Sequence, residues 1–533
     1  MSAAWPARSA SGSPPATPDL APGAALSADA AGARAAPRTT GLPAEREGPS
    51  CIIPPVVAIS KRTRRGVLGI VVAFVALGLM NVFIVPPLLP SDESSHVSYA
   101  LTLANGELPR LDQPNVRGFP HMKTEATIFT ANHPPLLYAL VAGPLEAGIH
   151  AGQPIIGLKI ARMISLLFGL ATVLGSAVLA MLVLPGREDV PVIAAAVVAL
   201  TPTVPHTSGI LYNDAIGMAG STWLLIAGMW VFRRGATRQT VLLLMAAAAF
   251  AALARSSSLF ALAPAILLAG FGARRWRPAL GIGALTIGTV AVAGGWWYLR
   301  NKHLYGSFLG NGYLTRRGRA IPKRPFGDVL VDLRVWRFML GRAWNGFTLP
   351  NRLIPTWSGW WGVIVEVPAL VGLVIGLARA VDRRLRPSRD TLVIWGALGL
   401  FCATAFVSVV GFVSIGGNSF ARYWFPILPV AGIVIGLGYS YLPRLLAPLA
   451  LALTGVANVL LLHRYMIAAG VLARGPRGTA QWDAFRRSVV PGSFLLLALV
   501  ALGIGIALAA GALWRRPAGY PAGTAESRAT SAA

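Results

Sequence analysis

Apolar runs of roughly 20 residues recur along most of this chain, and that recurrence limits its fold more than any other feature. A run of that length crosses about 30 Å of hydrocarbon as an α-helix. In hydrocarbon every backbone N–H and C=O needs an internal partner, which a helix supplies along its own length. The sequence therefore predicts an all-α integral membrane protein with about 12 transmembrane helices. Composition agrees: 55% of the 533 residues are hydrophobic and only 13% are charged. A soluble chain of this size would need far more polar surface to cover itself. Length alone would suggest several soluble domains, but the run pattern argues for one membrane domain with loops.

The net charge is +27, from 47 Lys and Arg against 20 Asp and Glu. Basic residues that flank spans fix orientation in the membrane, and they attract anionic lipid head groups. No nucleic-acid-binding motif accompanies the charge, so nucleic acid is not an expected partner. The two cysteines, Cys51 and Cys402, have no plausible partners, so neither a disulfide framework nor a cysteine metal site is expected.

Residues 1–60 are rich in Ala, Pro, Ser and Gly without apolar periodicity, which reads as a disordered cytoplasmic tail. The start lacks a charged segment followed by an apolar core, so no cleaved signal peptide is expected. Lys61, Arg62, Arg64 and Arg65 abut the first run, about 66–86, and place the N-terminus in the cytoplasm. Further spans are expected at about 156–184, 190–205, 214–232, 239–254, 257–272 and 279–299. The remaining five are expected at about 357–380, 390–413, 424–441, 445–463 and 491–514. Basic turns at Arg187, Arg233–Arg234, Arg274–Arg275, Arg383–Arg384 and Arg515–Arg516 mark the cytoplasmic side. The membrane domain is then 61–516, with large outer loops at about 87–155 and 300–356, and 517–533 is a second disordered cytoplasmic tail. One signal opposes this topology. Arg316, Arg317, Arg319, Lys323 and Arg324 fall in the second outer loop, where longer translocated segments obey the charge rule poorly. Another supports it, because all seven histidines fall on or near the predicted outer side.

Chemistry-capable side chains gather at that outer side. Asp92, Glu93 and His96 lie within five residues directly after the first span. Carboxylates beside hydrocarbon are costly unless paired, hydrated or metal-bound. One of them can act as a general base for an acceptor hydroxyl, and its neighbours can hold a divalent cation near a phosphate leaving group. The plainer reading is a helix start capped by Ser91 or Asp92. His133 begins a second amphipathic segment whose prolines favour a helix start, and it reads equally as a packed interfacial residue. Asp214 sits beside Asn213 at the mouth of the fourth span, where helix capping is again the plainer role. Arg300, Lys302 and Arg422 lie at outer ends of spans, placed either to bind a phosphate or to snorkel beside aromatic belt residues. Glu366 falls well inside the eighth span and carries no assigned role.

Five segments, PSDESSH (90–96), NHPPLLYAL (132–140), LYNDA (211–215), GWWYLRNKHLYGS (295–307) and ARYWFPILP (421–429), resemble the GT-C superfamily of membrane glycosyltransferases. Protein mannosyltransferases and the lipid A aminoarabinose transferases are examples of that superfamily. The closer resemblance is to a bacterial family of predicted membrane proteins of unknown function assigned to it. The resemblance implies a GT-C-like fold, whose large first outer loop carries two amphipathic interfacial helices along the membrane surface, and a sugar donor carried on a polyprenyl phosphate. It implies a catalytic base, or a ligand of an assisting divalent metal ion, at Asp92, with Glu93 second. By the same resemblance Asp214 would contact a metal or the donor, and His96 matches the family pattern without a settled role. His96 and His133 are thus candidate metal or substrate contacts, and Arg300, Lys302 and Arg422 are candidate ligands of the phosphate that such a donor carries. The pair here is Asp-Glu, whereas several members rely on one Asp or a different acidic spacing.

The resulting expectation is a glycosyltransferase, inverting in mechanism, that moves a sugar to an unknown cell-envelope acceptor hydroxyl. It would sit in a bacterial cytoplasmic membrane with its site on the outer face. A transporter or lipid flippase is the alternative, and so is a non-catalytic scaffold of the same fold. A flippase would need polar groups along a path through the membrane, preferably with inverted repeats, and no convincing repeat is present. The chain also lacks GxxxxGK[ST], HExxH and GxSxG, so ATP-driven transport and membrane proteolysis by those devices lose support.

Overall fold

The computed structural model describes residues 59–88, 92–116, 119–120, 122, 126–311, 313, 322–344, 360–473 and 492–514. The tails expected at 1–60 and 517–533 lie outside these residues apart from Ile59 and Ser60, as does much of the second outer loop. Among the described residues no strand forms, and a single antiparallel bridge pairs Pro114 with Thr127.

In chain order the helices are α1 (Lys61–Ile84), α2 (Glu93–Ala104), α3 (Leu136–His150), α4 (Pro154–Val183), α5 (Val190–Leu200), α6 (Thr203–Ser208) and α7 (Asp214–Arg234). Next come α8 (Arg238–Ala254), a 3-10 turn at Ser256–Ala261 that leads into α9 (Leu262–Gly272), and α10 (Trp276–Tyr305), which contains a π turn at Ala291–Gly295. The rest are α11 (Phe326–Val331), α12 (Leu333–Trp344), α13 (Trp360–Asp382), α14 (Arg389–Ser414), α15 (Leu428–Tyr439) behind a 3-10 turn at Ala421–Ile427, α16 (Leu446–Ala473) and α17 (Gly492–Trp514).

Where described, the twelve predicted spans are helical, the third being broken at Thr201–Pro202. Nine helices among the described residues are long and apolar enough to cross a membrane. Three predicted spans are shorter: Val190–Leu200, Arg238–Ala254 and Ser256–Gly272. The second of these, 17 residues at 1.5 Å each, is about 25 Å long. The first predicted outer loop also differs from expectation. Of its two amphipathic pieces, α2 is buried at ten of its twelve residues, so it is packed inside the protein and not laid on a surface. α10 runs six residues beyond the predicted end of the seventh span, to Tyr305. It stops at Gly306, whose φ of 76° is left-handed and natural to glycine.

Small residues permit close helix approach. Gly69 of α1 and Gly505 of α17 pack so closely that a Cβ on either would strike the other's backbone carbonyl. Such approaches replace the hydrophobic drive that lipid does not supply. About two turns further along, the same pair of helices is tied where Arg62 donates to the carbonyls of Ala512 and Leu513. Arg233 donates to Leu182 O, Arg187 lies over Tyr441 and Arg389 over Phe271, so the predicted basic turns meet at one end of the bundle. The opposite end carries Asp92, Asp214 and the cavity described next, whereas Glu188 and Asp390 stand beside Arg62 and Arg233 among the basic turns.

A charged cavity at one end of the bundle

Between the ends of α2, α3, α7, α8, α10, α14 and the 3-10 turn at Ala421–Ile427 lies a cavity of about 1290 Å³. That exceeds the range of about 300–1,000 Å³ usual for small-molecule sites. Asp92, His96, His133, Asp214, Arg255 and Arg422 all line it.

Two of these carboxylates start helices. Asp92 precedes α2 and makes no side-chain capping bond, and Asp214 is the first residue of α7. The helix N-terminus favours a negative charge at both places, while leaving the side chains free of the capping role that sequence offered. Arg422 enters from the 3-10 turn that follows Gly416–Gly417. Its Nη2 donates to Asp92 Oδ2 at 2.5 Å, and its Nη1 lies 3.6 Å from Asp214 Oδ2. The other oxygen of Asp214 pairs with Arg255 Nη1. The result is an alternating chain, Asp92–Arg422–Asp214–Arg255. The Arg422 guanidinium also lies over the rings of Phe420, Tyr212 and Tyr423, at 5.1, 5.2 and 5.7 Å, where cation–π attraction adds to the ion pairs. The backbone N–H of Asp92 donates to Tyr212 Oη at 3.2 Å.

Glu93 points the other way. Its carboxylate is fully buried and accepts from Arg162 of α4 twice, at 2.8 and 2.6 Å, and from the backbone N–H groups of Leu88 and Leu211. It does not line the cavity. This differs from the expectation that Glu93 shares the catalytic role with Asp92: four donors already engage its oxygens, and it faces the bundle.

His96 Nδ1 lies 3.0 Å from Tyr138 Oη, and the imidazole stacks on Tyr212 at 5.0 Å. Burial, and then the nearby charges of Arg422 and Arg255, hold the His96 pKa well below the ordinary histidine value. For His133 burial is again the main cause, followed by Arg255, and the shift is in the same direction. Both imidazoles are therefore neutral near pH 7, suited to hydrogen bonding and not to carrying charge. Burial and the Asp92 charge raise Tyr212, which stays a neutral phenol.

Arg300 and Lys302 do not join this group. Arg300 donates to Pro109 O at 2.8 Å and lies over the Trp297 ring, while exposed Lys302 donates to Gly306 O at 3.0 Å. Neither lines the cavity, so the expected donor-phosphate cluster contracts to Arg422 from that set. They belong instead to the C-terminal end of α10, which Trp297 and Asn301 lock to the segment before α3 by donating to Asn132 O at 3.1 and 2.8 Å.

Sequence reasoning missed Arg255 and Arg162. A signal for each was present. Arg255 is a lone arginine in a two-residue turn between apolar runs, on the side that the charge rule leaves poor in cations. Arg162 interrupts an apolar run, and an intramembrane charge implies a partner.

Two carboxylates on one cavity wall can begin a divalent-cation site. Here the Arg422 guanidinium lies between them and Arg255 holds the second. Among the described residues no three His, Cys, Asp or Glu side chains converge. The residues present do not fit a resident divalent ion, because the positive charge that such an ion would bring is already built into the wall.

Fold and site together define a polytopic α-helical membrane protein with an ion-paired cavity at one end of its bundle. The fold is similar to that of ArnT from Cupriavidus metallidurans in the apo state, at 16% identity and a TM-score of 0.47, covering 84% of this chain and 77% of ArnT. It is similar also to ArnT bound to undecaprenyl phosphate, at 17% identity and a TM-score of 0.42, covering 84% and 76%. A third likeness is to the archaeal oligosaccharyltransferase AglB from Archaeoglobus fulgidus in complex with an inhibitory peptide and a dolichol-phosphate. There the identity is 16% and the TM-score 0.38, over 86% of this chain but only 57% of AglB. Neither a family model nor a curated protein's sequence matches this chain.

Proposed function

We propose that this protein is a membrane glycosyltransferase that moves a sugar from a polyprenyl-phosphate donor to an acceptor hydroxyl, in assembly of cell-envelope glycan. The observation that carries the reading is the joint presence, on one cavity wall, of the carboxylate of Asp92 and the guanidinium groups of Arg422 and Arg255. The first is a base and the others are phosphate ligands. The cavity is large enough for a lipid phosphate and a sugar together.

In this mechanism Arg422, with Arg255 behind it, takes the donor phosphate. Asp92 accepts the proton of the acceptor hydroxyl as that oxygen attacks the anomeric carbon. The bond from the anomeric carbon to the phosphate oxygen breaks, its electron pair stays on the phosphate, and configuration inverts. Fixed guanidinium groups favour the charge that builds on the departing phosphate. Asp214 holds both arginines in place, and neutral His96 and His133 are available to sugar hydroxyls. Glu93, Arg300 and Lys302 take no step. We place the cavity on the outer face of a bacterial cytoplasmic membrane, with both termini cytoplasmic, because the basic turns collect at the opposite end.

The test is transfer of radiolabelled sugar from a panel of polyprenyl-phosphate donors in membranes holding wild type or Asp92→Asn at equal levels. Transfer by wild type and a loss of about 100-fold or more in the variant support the reading. Equal transfer by both would sink the base assignment, and no transfer with any donor and a mixed cell-envelope acceptor fraction would sink the donor class.

A further inference from the structure

We propose that Glu93 and Arg162 form a buried positioning pair that holds Asp92 against Arg422, an inference that rests on the roles given above to those two residues. Arg162 lies in the membrane-crossing helix α4 and is only 1% exposed. All five of its N–H donors are used: two on Glu93, two on Val82 O and Val85 O at 3.0 and 2.7 Å, and one on Pro86 O at 3.2 Å. These three carbonyls belong to the end of α1 and the turn after it. Glu93 completes the grip with the N–H groups of Leu88 and Leu211 at 2.9 and 3.0 Å.

Core packing does not require this. A buried ion pair can often be replaced by apolar side chains of similar volume without loss of stability. What the pair adds is direction. Leu88 stands at φ 57°, a left-handed conformation unfavourable to leucine, and its N–H is held there by the Glu93 carboxylate. Asp92 is the next residue back from Glu93. Its N–H meets the hydroxyl of Tyr212, and Tyr212 follows Leu211, the other residue that Glu93 grips. Both sides of the Asp92–Tyr212 contact are thus fixed by one carboxylate. With the turn locked, the Asp92 side chain faces Arg422 at 2.5 Å. Neither Glu93 nor Arg162 lines the cavity, so the pair acts through Asp92 and touches no substrate.

The consequence has a sign that general damage would not share. Loosening the pair frees Arg422 from Asp92 but leaves Arg255 on Asp214. The experiment compares wild type, Glu93→Gln, Arg162→Lys, the doubly neutral Glu93→Gln/Arg162→Gln, and Asp92→Asn, as full-length protein in phosphatidylcholine nanodiscs. The double variant leaves no unpaired charge in the core, which protects the fold. Phenylglyoxal modification is followed at Arg422, with Arg255 as internal reference, by peptide mass spectrometry. The expected result is faster modification of Arg422, roughly two- to fivefold, in the pair variants as in Asp92→Asn, the size of one ion pair released, with Arg255 unchanged. Unchanged Arg422 in the folded variants, or equal acceleration at both arginines, overturns the inference. Undecaprenyl phosphate binding by the same samples separates the two proposals. It should tighten wherever Arg422 is freed. If Arg422 labels faster while wild type and Asp92→Asn bind no undecaprenyl phosphate, the positioning pair stands and the phosphate reading falls.

Discussion

Arg422→Met tests the cavity at its centre. The guanidinium touches Asp92 at 2.5 Å, stands 3.6 Å from Asp214 and lies within 6 Å of three aromatic rings. Methionine keeps most of the volume and removes the charge. Asp214 retains Arg255, and the Asp92 side chain is 16% exposed, so water reaches the carboxylate left behind. The cost to the fold is therefore about 1–3 kcal/mol, less than for a fully buried broken pair. The cost to phosphate binding is one charge-assisted hydrogen-bonded contact, about 1.5–3 kcal/mol, or roughly 10- to 150-fold in affinity. Arg422→Lys keeps the charge but not the planar fork that reaches two partners, and falls between the two, with a loss of roughly three- to tenfold. The assay is undecaprenyl phosphate binding to protein in nanodiscs, with size exclusion and a melting curve to establish equal folding. A folded Met variant that binds as wild type does would refute the assignment of Arg422 to the phosphate. Full recovery by Lys would refute the argument from fork geometry.

Three further outcomes are expected. His96 and His133 are held below the ordinary histidine pKa of 6.5 by burial first and then by nearby cations, so the folded protein binds fewer protons than the unfolded chain below that pH. Their contribution to stability is full above about pH 6.5 and is lost as pH falls below it; melts from about pH 8 to 5 should show this, and His96→Gln should flatten the decline. Asp214→Asn leaves the buried Arg255 without its carboxylate, and a loss of about 3–5 kcal/mol should appear as a lower melting temperature or reduced accumulation; an unchanged melt would contradict the pairing. Gly306→Ala places a side chain at φ 76° and should cost about 1 kcal/mol, a shift of a few degrees in the melt, whereas an unaffected melt would mean that the end of α10 does not depend on the left-handed turn.

The sequence by itself determined the helices. Every apolar run of spanning length is helical, because the hydrogen bonds of a helix are local and hydrocarbon allows no other open backbone. It also placed the basic turns at one end and Asp92, His96, His133 and Asp214 at the other, since charge beside a span is legible one segment at a time. Which charges meet was decided only by tertiary structure. Asp92 and Arg422 are 330 residues apart, and Glu93 and Arg162 are 69 apart. No local pattern distinguishes Arg422 from Arg300: each is a cation beside aromatic residues at the end of a span, yet one lines the cavity and the other bonds to Pro109. Adjacent Asp92 and Glu93 read as one acidic pair in sequence. At a helix start, successive side chains turn by about 100°, so packing sends one carboxylate into the cavity and the other onto a buried arginine.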